Sequence, residues 1–194
     1  PMCDLVANGW PNGQVPAGYP NGVPEGFSVG QQLPLRIFND QNGNTDVSLS
    51  QFYGRMVVLI VAAVWDPVSG LSAMDLQASK VALDDFIDAV SWPIHLLIEG
   101  PTPGEASNFP DAGLWADTYG LTSPVAWGSP ATEFIAGTML GSSLPTFVIA
   151  DPELEVREVT VGFPGDEAFR QSVQDAFDAF KSEQPAWTMP CTDN

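Results

Sequence analysis

The sequence predicts an α/β fold, and three stretches carry that expectation. Residues 56–64 are nine consecutive apolar residues rich in valine. A short, unbroken, β-branched run bounded by a turn is the pattern of a strand buried on both faces of a sheet. Asp66-Pro67 then reads as a helix start. Asp is a favoured N-cap, and Pro fits the first helical position, where its missing N–H is no loss. Near the far end, residues 146–150 and 156–161 read as an antiparallel pair turned at Asp151-Pro152-Glu153. They lead into a helix over 165–181 whose Phe169, Val173, Ala176, Phe177 and Phe180 form one apolar stripe.

Taken in order, residues 1–30 form an irregular arm with Pro11, Pro16, Pro20 and Pro24 and no periodicity. A short strand is expected at 35–38 and its return at 47–49. Between them NDQNGN (39–44) is a hairpin turn with an Asn-Gly pair. It shares acidic and amide residues with a calcium loop but lacks the closing Glu. Residues 50–53 read as a helical turn. The helix after the central strand is expected over 68–90, with Leu71, Met74, Ala78 and Val81 on one face, continued by Phe86, Ile87 and Val90. Trp92-Pro93 ends it, and 94–98 is the next buried strand. Residues 100–112 read as a loop, 113–119 as a short helix, 125–127 as a strand and 132–139 as a helix. The domain boundaries are therefore an arm (1–30), one folded domain (31–182) and a tail (183–194).

Composition narrows the function classes. The chain has 194 residues and a formal net charge of −18, from 24 acidic and 6 basic residues. Such a chain repels phosphate backbones and anionic membrane surfaces, so nucleic-acid binding is not expected. With 44% hydrophobic residues, 6 Trp and 11 Phe, the charge does not imply disorder. No apolar run of membrane-spanning length, about 18 residues, is present. The chain opens on Pro rather than Met, which reads either as a mature chain after processing or as a trimmed one. Scarce Lys and Arg with abundant Gly, Pro and Asn suit a secreted chain, periplasmic or extracellular. The two cysteines, Cys3 and Cys191, lie near opposite ends; they read either as one disulfide closing the chain or as two free thiols in the tails.

A resemblance joins these elements. Leu49-Ser50-Gln51-Phe52-Tyr53-Gly54-Arg55, the apolar strand, Trp65-x-x-x-Ser69 and Leu144-Pro145-Thr146-Phe147 together resemble the redoxin branch of the thioredoxin-like superfamily, over roughly residues 30–181. The resemblance implies a thioredoxin-like α/β fold with a central mixed sheet and helices on both faces. It also implies a cis bond at Pro145, facing the helix start near Asp66. In the family a Trp-Cys-x-x-Cys motif opens the helix; here those cysteine positions hold Asp66 and Ser69, a degenerate site. Ala62 and Ala63 do not supply the Thr that a peroxiredoxin places before its reactive cysteine.

Each candidate residue has a plain reading beside a chemical one. Asp66 is an N-cap first, and a ligand or carboxylate nucleophile second. Ser69 has no base beside it in sequence. His95 is the lone histidine, expected as a satisfied core residue; without a G-x-S-x-G elbow a hydrolase triad lacks support. One His and two terminal Cys do not build a zinc site. No cofactor motif is present, and weak calcium binding by surface carboxylates is the one metal expectation. Trp10, Tyr19, Trp115, Trp127 and Trp187 fall outside the two long helices, and any exposed ones would be contact anchors.

The function read from the sequence is a secreted, catalytically inactive redoxin relative acting through binding or self-assembly, extending to an extracellular filament subunit. The alternative is a thiol-disulfide oxidoreductase or antioxidant-type redoxin working with Cys3, Cys191 or a partner's thiols. The Pro-rich arm must be held either by its own domain or by a neighbouring subunit gripping Trp10, Tyr19 or Trp187.

Overall fold

The computed structural model describes residues 7–20, 22–82, 91–134 and 143–188, with the side chains of 78–82, 130, 133 and 134 also outside the description. Cys3 and Cys191, and so the expected disulfide, lie outside the described residues, as do Phe86, Ile87 and Val90. The elements run β1 (Ile37–Phe38), β2 (Val47–Ser48), a 3-10 turn (Leu49–Phe52), β3 (Met56–Ala63), α1 (Pro67–Ala82), β4 (Ser91–Glu99), α2 (Phe109–Tyr119), β5 (Val125–Trp127), α3 (Gly128–Phe134), β6 (Thr146–Ala150), β7 (Val156–Val161) and α4 (Asp166–Glu183).

Five strands form one mixed sheet in the order β5-β4-β3-β6-β7. β4 lies parallel to β3 and β5, whereas β6 runs antiparallel to β3 and β7. β3 is central, and all eight of its residues are buried. Its alternation divides the core. Val57, Leu59 and Val61 face a layer made by the arm residues Trp10 and Phe27, by Leu33, the β1–β2 hairpin, and Ala131 of α3. Met56, Val58, Ile60 and Ala62 face α1, α2 and α4 through Leu76, Trp115, Phe169 and Val173. Helices therefore lie on both faces of the sheet.

Several boundaries differ from the sequence reading. Trp92-Pro93 does not end a helix; both residues lie in β4, paired beside Val57 and Val58 of β3. His95 donates its N–H to Pro124 on the β5 side, so residue 93, two positions back, turns its nitrogen to that same side. β5 pairs only with 95–97, and the missing donor of Pro93 is owed to no described strand. α2 starts four residues earlier than expected. Asn108 and Asp111 form a reciprocal capping box, and Pro110 sits in the first turn. α3 occupies 128–134, before the expected 132–139, and 135–142 lies outside the described residues.

The largest correction concerns α1. Among its described residues Ser69, Gly70, Ser72, Ala73 and Leu76 are buried, whereas Leu71 and Met74 are exposed. The first two residues of the apolar stripe read from the sequence, Leu71 and Met74, thus face outward; the rest of it lies outside the described side chains. Small residues take the inner face of the first turns, where the helix lies close to the sheet; the Ser69 hydroxyl accepts a 3.4 Å bond from the Ala63 N–H of β3.

The arm is held by its own domain. Trp10 is buried, packs edge-on against Trp92, and donates its Nε1–H to Asp40 Oδ2 at 2.5 Å. The Asp40 carboxylate, fully buried, also accepts from the Asn42 and Asn44 N–H groups and from Asn44 Nδ2. It is a turn-closing residue with both oxygens used. Gly13 donates to Gln51 O, where a Cβ would lie 2.4 Å from Tyr53 O; no side chain fits. Tyr19 bonds Leu33 O and meets Tyr53 edge-on, before a cis Tyr19–Pro20 bond. At the other end Trp187 packs on Phe177 and Phe180, under Lys181.

Trp10 is expected to be the arm's anchor. Trp10→Ala should lower unfolding stability by about 3–5 kcal/mol, the usual range for a buried aromatic truncation. It should also open the arm to limited proteolysis between residues 7 and 30; protection equal to that of the parent chain would show that other contacts hold the arm.

Candidate functional site at the start of helix α1

The site grows from the end of β3. Beyond Ala63 the chain leaves the sheet through Val64 and Trp65, whose N–H groups bond Glu99 O and Gly100 O at the end of β4. Asp66 then caps α1. Its Oδ1 accepts from the Val68 N–H at 3.3 Å, and its Oδ2 accepts from the Ser69 N–H at 2.9 Å and the Ser69 hydroxyl at 2.6 Å. Pro67 is the first helical residue. A carboxylate at this place satisfies N–H groups that the helix leaves free and lies at the positive end of its dipole.

Ser69 is fully buried, with its hydroxyl committed to Asp66 and to the Ala63 N–H. Nothing in this arrangement activates it as a nucleophile. The next residue, Gly70, is set by α2: a Cβ there would lie 2.2 Å from the Tyr119 hydroxyl. Beside the cap, Trp65 donates its Nε1–H to Glu99 Oε2 at 2.5 Å and keeps 39% of its surface exposed.

Leu144–Pro145 is a cis bond. Thr146 pairs with Val61 in the antiparallel β3–β6 ladder, so the next step brings Pro145 alongside Ala62, at the end of β3 from which α1 departs. The Gly162 N–H bonds Pro145 O at 2.8 Å, and the Thr146 hydroxyl bonds Ser143 O at 2.6 Å. Asp66, Ser69 and Pro145 are therefore gathered at one end of the sheet. The sequence missed two supports of that end, the Trp65–Glu99 bond and the Tyr119–Gly70 contact. Neither pair has a local signature, because 34 residues separate the first and α2 delivers the second.

His95 lies elsewhere. It is buried in β4, on the face shared with Leu97, and its Nδ1 has no hydrogen-bond partner. The expected satisfied histidine is thus a buried one with an unpaired nitrogen. Trp115 Nε1, on the helical side of the same face, is unpaired as well. Burial lowers the His95 pKa to about 3. The aromatic residues expected as contact anchors are engaged within the chain. Trp115 is buried, and Trp127 bonds Asp40 O and lies against Phe109. Among the described residues no three His, Cys, Asp or Glu side chains gather as a metal site, and no helix is long and apolar enough to cross a membrane.

Solved structures share this architecture. A thiol:disulfide interchange protein of the thioredoxin family from Chlorobium tepidum TLS superposes with a TM-score of 0.56 at 20% identity, over 77% of this chain and 99% of its own. A secreted thiol-disulfide isomerase from Corynebacterium glutamicum gives 0.57 at 19% identity, over 76% and 86%. A secreted Mycobacterium tuberculosis disulfide oxidoreductase homologous to E. coli DsbE gives 0.54 at 12%, over 72% and 94%. No protein-family model and no curated protein matches the sequence. At these identities the likeness establishes the fold: α/β, thioredoxin-like, with a five-stranded mixed sheet.

His95 gives the fold a pH signature. Its native pKa, about 3, lies below the ordinary value of 6.5, so between these values the unfolded chain binds a proton that the native chain refuses. Stability contributed by the neutral imidazole is therefore fully present above pH 6.5 and is lost as pH falls towards 3. Relative to His95→Leu, the parent chain should lose up to ~1.4 kcal/mol per pH unit across that window. Denaturant unfolding of both at pH 4 to 8 checks this; parallel stability curves would show that His95 does not resist protonation.

Proposed function

We propose that this chain is a secreted redoxin-fold protein that acts by binding and self-association rather than by thiol-disulfide exchange at the start of α1. The observation that carries the reading is the Asp66 carboxylate, bonded to Ser69 at the helix N-terminus beside the cis-Pro145 loop. Disulfide exchange requires a thiolate that attacks sulfur and a second thiol that resolves the mixed disulfide. Asp66 and Ser69 offer only oxygen, and both groups are occupied by α1's own first turn. A peroxide likewise needs a thiolate to attack its O–O bond. On this reading, capping keeps the scaffold's end intact while its redox chemistry is gone.

Secretion is supported by the acid-rich composition and by two fold neighbours described as secreted. In this reading self-association does not run through the arm and tail. The arm and tail aromatics Trp10, Tyr19 and Trp187 are taken up by the chain's own domain, so they are not free to grip a neighbour.

A second reading is favoured by the fold comparisons themselves, whose members include thiol:disulfide interchange proteins and a disulfide oxidoreductase. In it the chain is an oxidoreductase that works through Cys3 and Cys191 or through a partner's thiols. One pair of assays separates the two. Under the binding reading, the purified full chain with dithiothreitol reduces insulin no faster than dithiothreitol alone, and it consumes no hydrogen peroxide beyond one equivalent per thiol. Catalytic turnover in either assay, abolished by Cys3→Ser or Cys191→Ser, would overturn the binding reading in favour of the second.

A further inference from the structure

The arm and the tail are both fastened at the end of the sheet where β3 starts. Met56 pairs there with Ser91 of β4, and Val57 with Ala150, the last residue of β6, which pairs in turn with Val156 at the start of β7. On the arm side, Asn8 and Gln51 exchange two side-chain bonds, at 3.3 and 3.4 Å. Gln51 lies in the 3-10 turn that leads into β3. On the tail side, Arg157 near the start of β7 holds Glu183, the last residue of α4, at 2.6 Å. Trp187 then folds back on Phe177 and Phe180, and its carbonyl accepts from Lys181 Nζ at 2.6 Å. Two contacts join the sides: the Gly54 N–H donates to Pro152 O at 2.7 Å, and Asp151 pairs with Arg157 at 2.6 Å.

Chain length says what the two ends can reach. An extended chain spans at most about 3.5 Å per residue, so Cys3 lies within ~14 Å of residue 7 and Cys191 within ~11 Å of residue 188. With about 5.5 Å between the Cα atoms of a disulfide, the two segments bridge up to ~30 Å. Trp10 lies against Trp92 of β4, and Glu183 is held by β7, three strand spacings or ~14 Å away. The arm layer and the α4 layer lie on opposite faces, about 10 Å each from the sheet, which makes the gap ~25 Å. The segments span that gap. Had they been fastened at opposite ends of β3, eight residues or ~25 Å long, the gap would be ~35 Å and out of reach.

We propose that Cys3 and Cys191 form an intramolecular disulfide around the end of the sheet where β3 starts, tying the arm to the tail. The bond forms by exchange with a small disulfide such as oxidised glutathione. One cysteine thiolate attacks it and releases one thiol, and the other cysteine thiolate then displaces the second. The two cysteines lose two protons and two electrons, and the small disulfide gains them as two thiols. The bond is independent of which functional reading stands. It also separates the cysteines from the candidate site: α1 starts at the other end of β3, ~25 Å away, farther than either segment reaches. Any redox chemistry of Cys3 and Cys191 therefore proceeds without Asp66 or Pro145.

Mass spectrometry of the full chain, equilibrated in glutathione buffers and alkylated with iodoacetamide in denaturant, tests it. In the oxidised buffer the monomer should take up no alkyl group, and digestion should yield one peptide pair joined through Cys3 and Cys191. Cys3→Ser should leave Cys191 alkylated or carrying glutathione. The same titration in guanidinium chloride reads what the fold contributes. A fold that brings the segments together should favour the bond at least about tenfold over the unfolded chain, the effect of 1.4 kcal/mol. Two alkylated thiols, glutathione on both cysteines, or a disulfide-linked dimer in the oxidised buffer would overturn the proposal. Equal redox midpoints for the native and unfolded chains would overturn it too, because the fold would then do nothing to join the ends.

Discussion

The burial of β3 on both faces is the constraint on which the rest depends. Eight apolar residues between two neighbouring strands bury every side chain, and each face then needs its own cover. The helical layer covers one side. The other side has too little helix and is completed by irregular chain: the arm, the β1–β2 hairpin and the 3-10 turn. This explains how a Pro- and Gly-rich segment belongs to the core. Its aromatics reach inward, and its polar groups close on the buried Asp40. The end of β3 also decides where the candidate site lies, because α1 starts where the strand runs out of partners and the β6 ladder delivers Pro145 to the same level.

The same packing sets what the surface offers. An arm that spends Trp10 and Tyr19 on its own domain keeps those aromatics from others. The large apolar groups that remain exposed include Leu71 and Met74 of α1, Leu114 of α2 and Val161 at the β7 edge. The contrast within α1 follows from distance. Where the Ser69–Ala63 bond holds its first turns close to the strand, the inner face carries Ser and Ala, and Leu76 fills it one turn further on.

Strong local patterns were legible in the sequence. The β3 run, the Asp66-Pro67 start and the α4 stripe each announce their element through a period or a cap, and each stands at the expected place. The facing of α1 was not legible, because periodicity shows which residues share a face but not which face meets the sheet. Trp92-Pro93 resembled a helix stop; only the length of β5 shows that a proline can sit in β4. The first turn of α2 carried a signature in Asn108-x-x-Asp111 that its Pro and Gly surroundings hid. At the site, Asp66 and Ser69 could be placed by their spacing, whereas Trp65–Glu99 and Tyr119–Gly70 arise only from packing.

On the proposed reading, what the site does turns on the chemistry held at one helix end. In that proposal the start of α1 favours a negative charge, as a helix N-terminus does, and the Asp66 carboxylate takes the position a thiolate would use. The direct measurement is the thiol pKa of a chain carrying Asp66→Cys with Cys3→Ser and Cys191→Ser, read from the pH dependence of iodoacetamide alkylation. The account expects a midpoint clearly below the free-cysteine value of about 8.5, as helix N-termini produce. A midpoint at or above that value would contradict it, since the end of α1 would then have lost the electrostatics of a thiolate site along with the thiol.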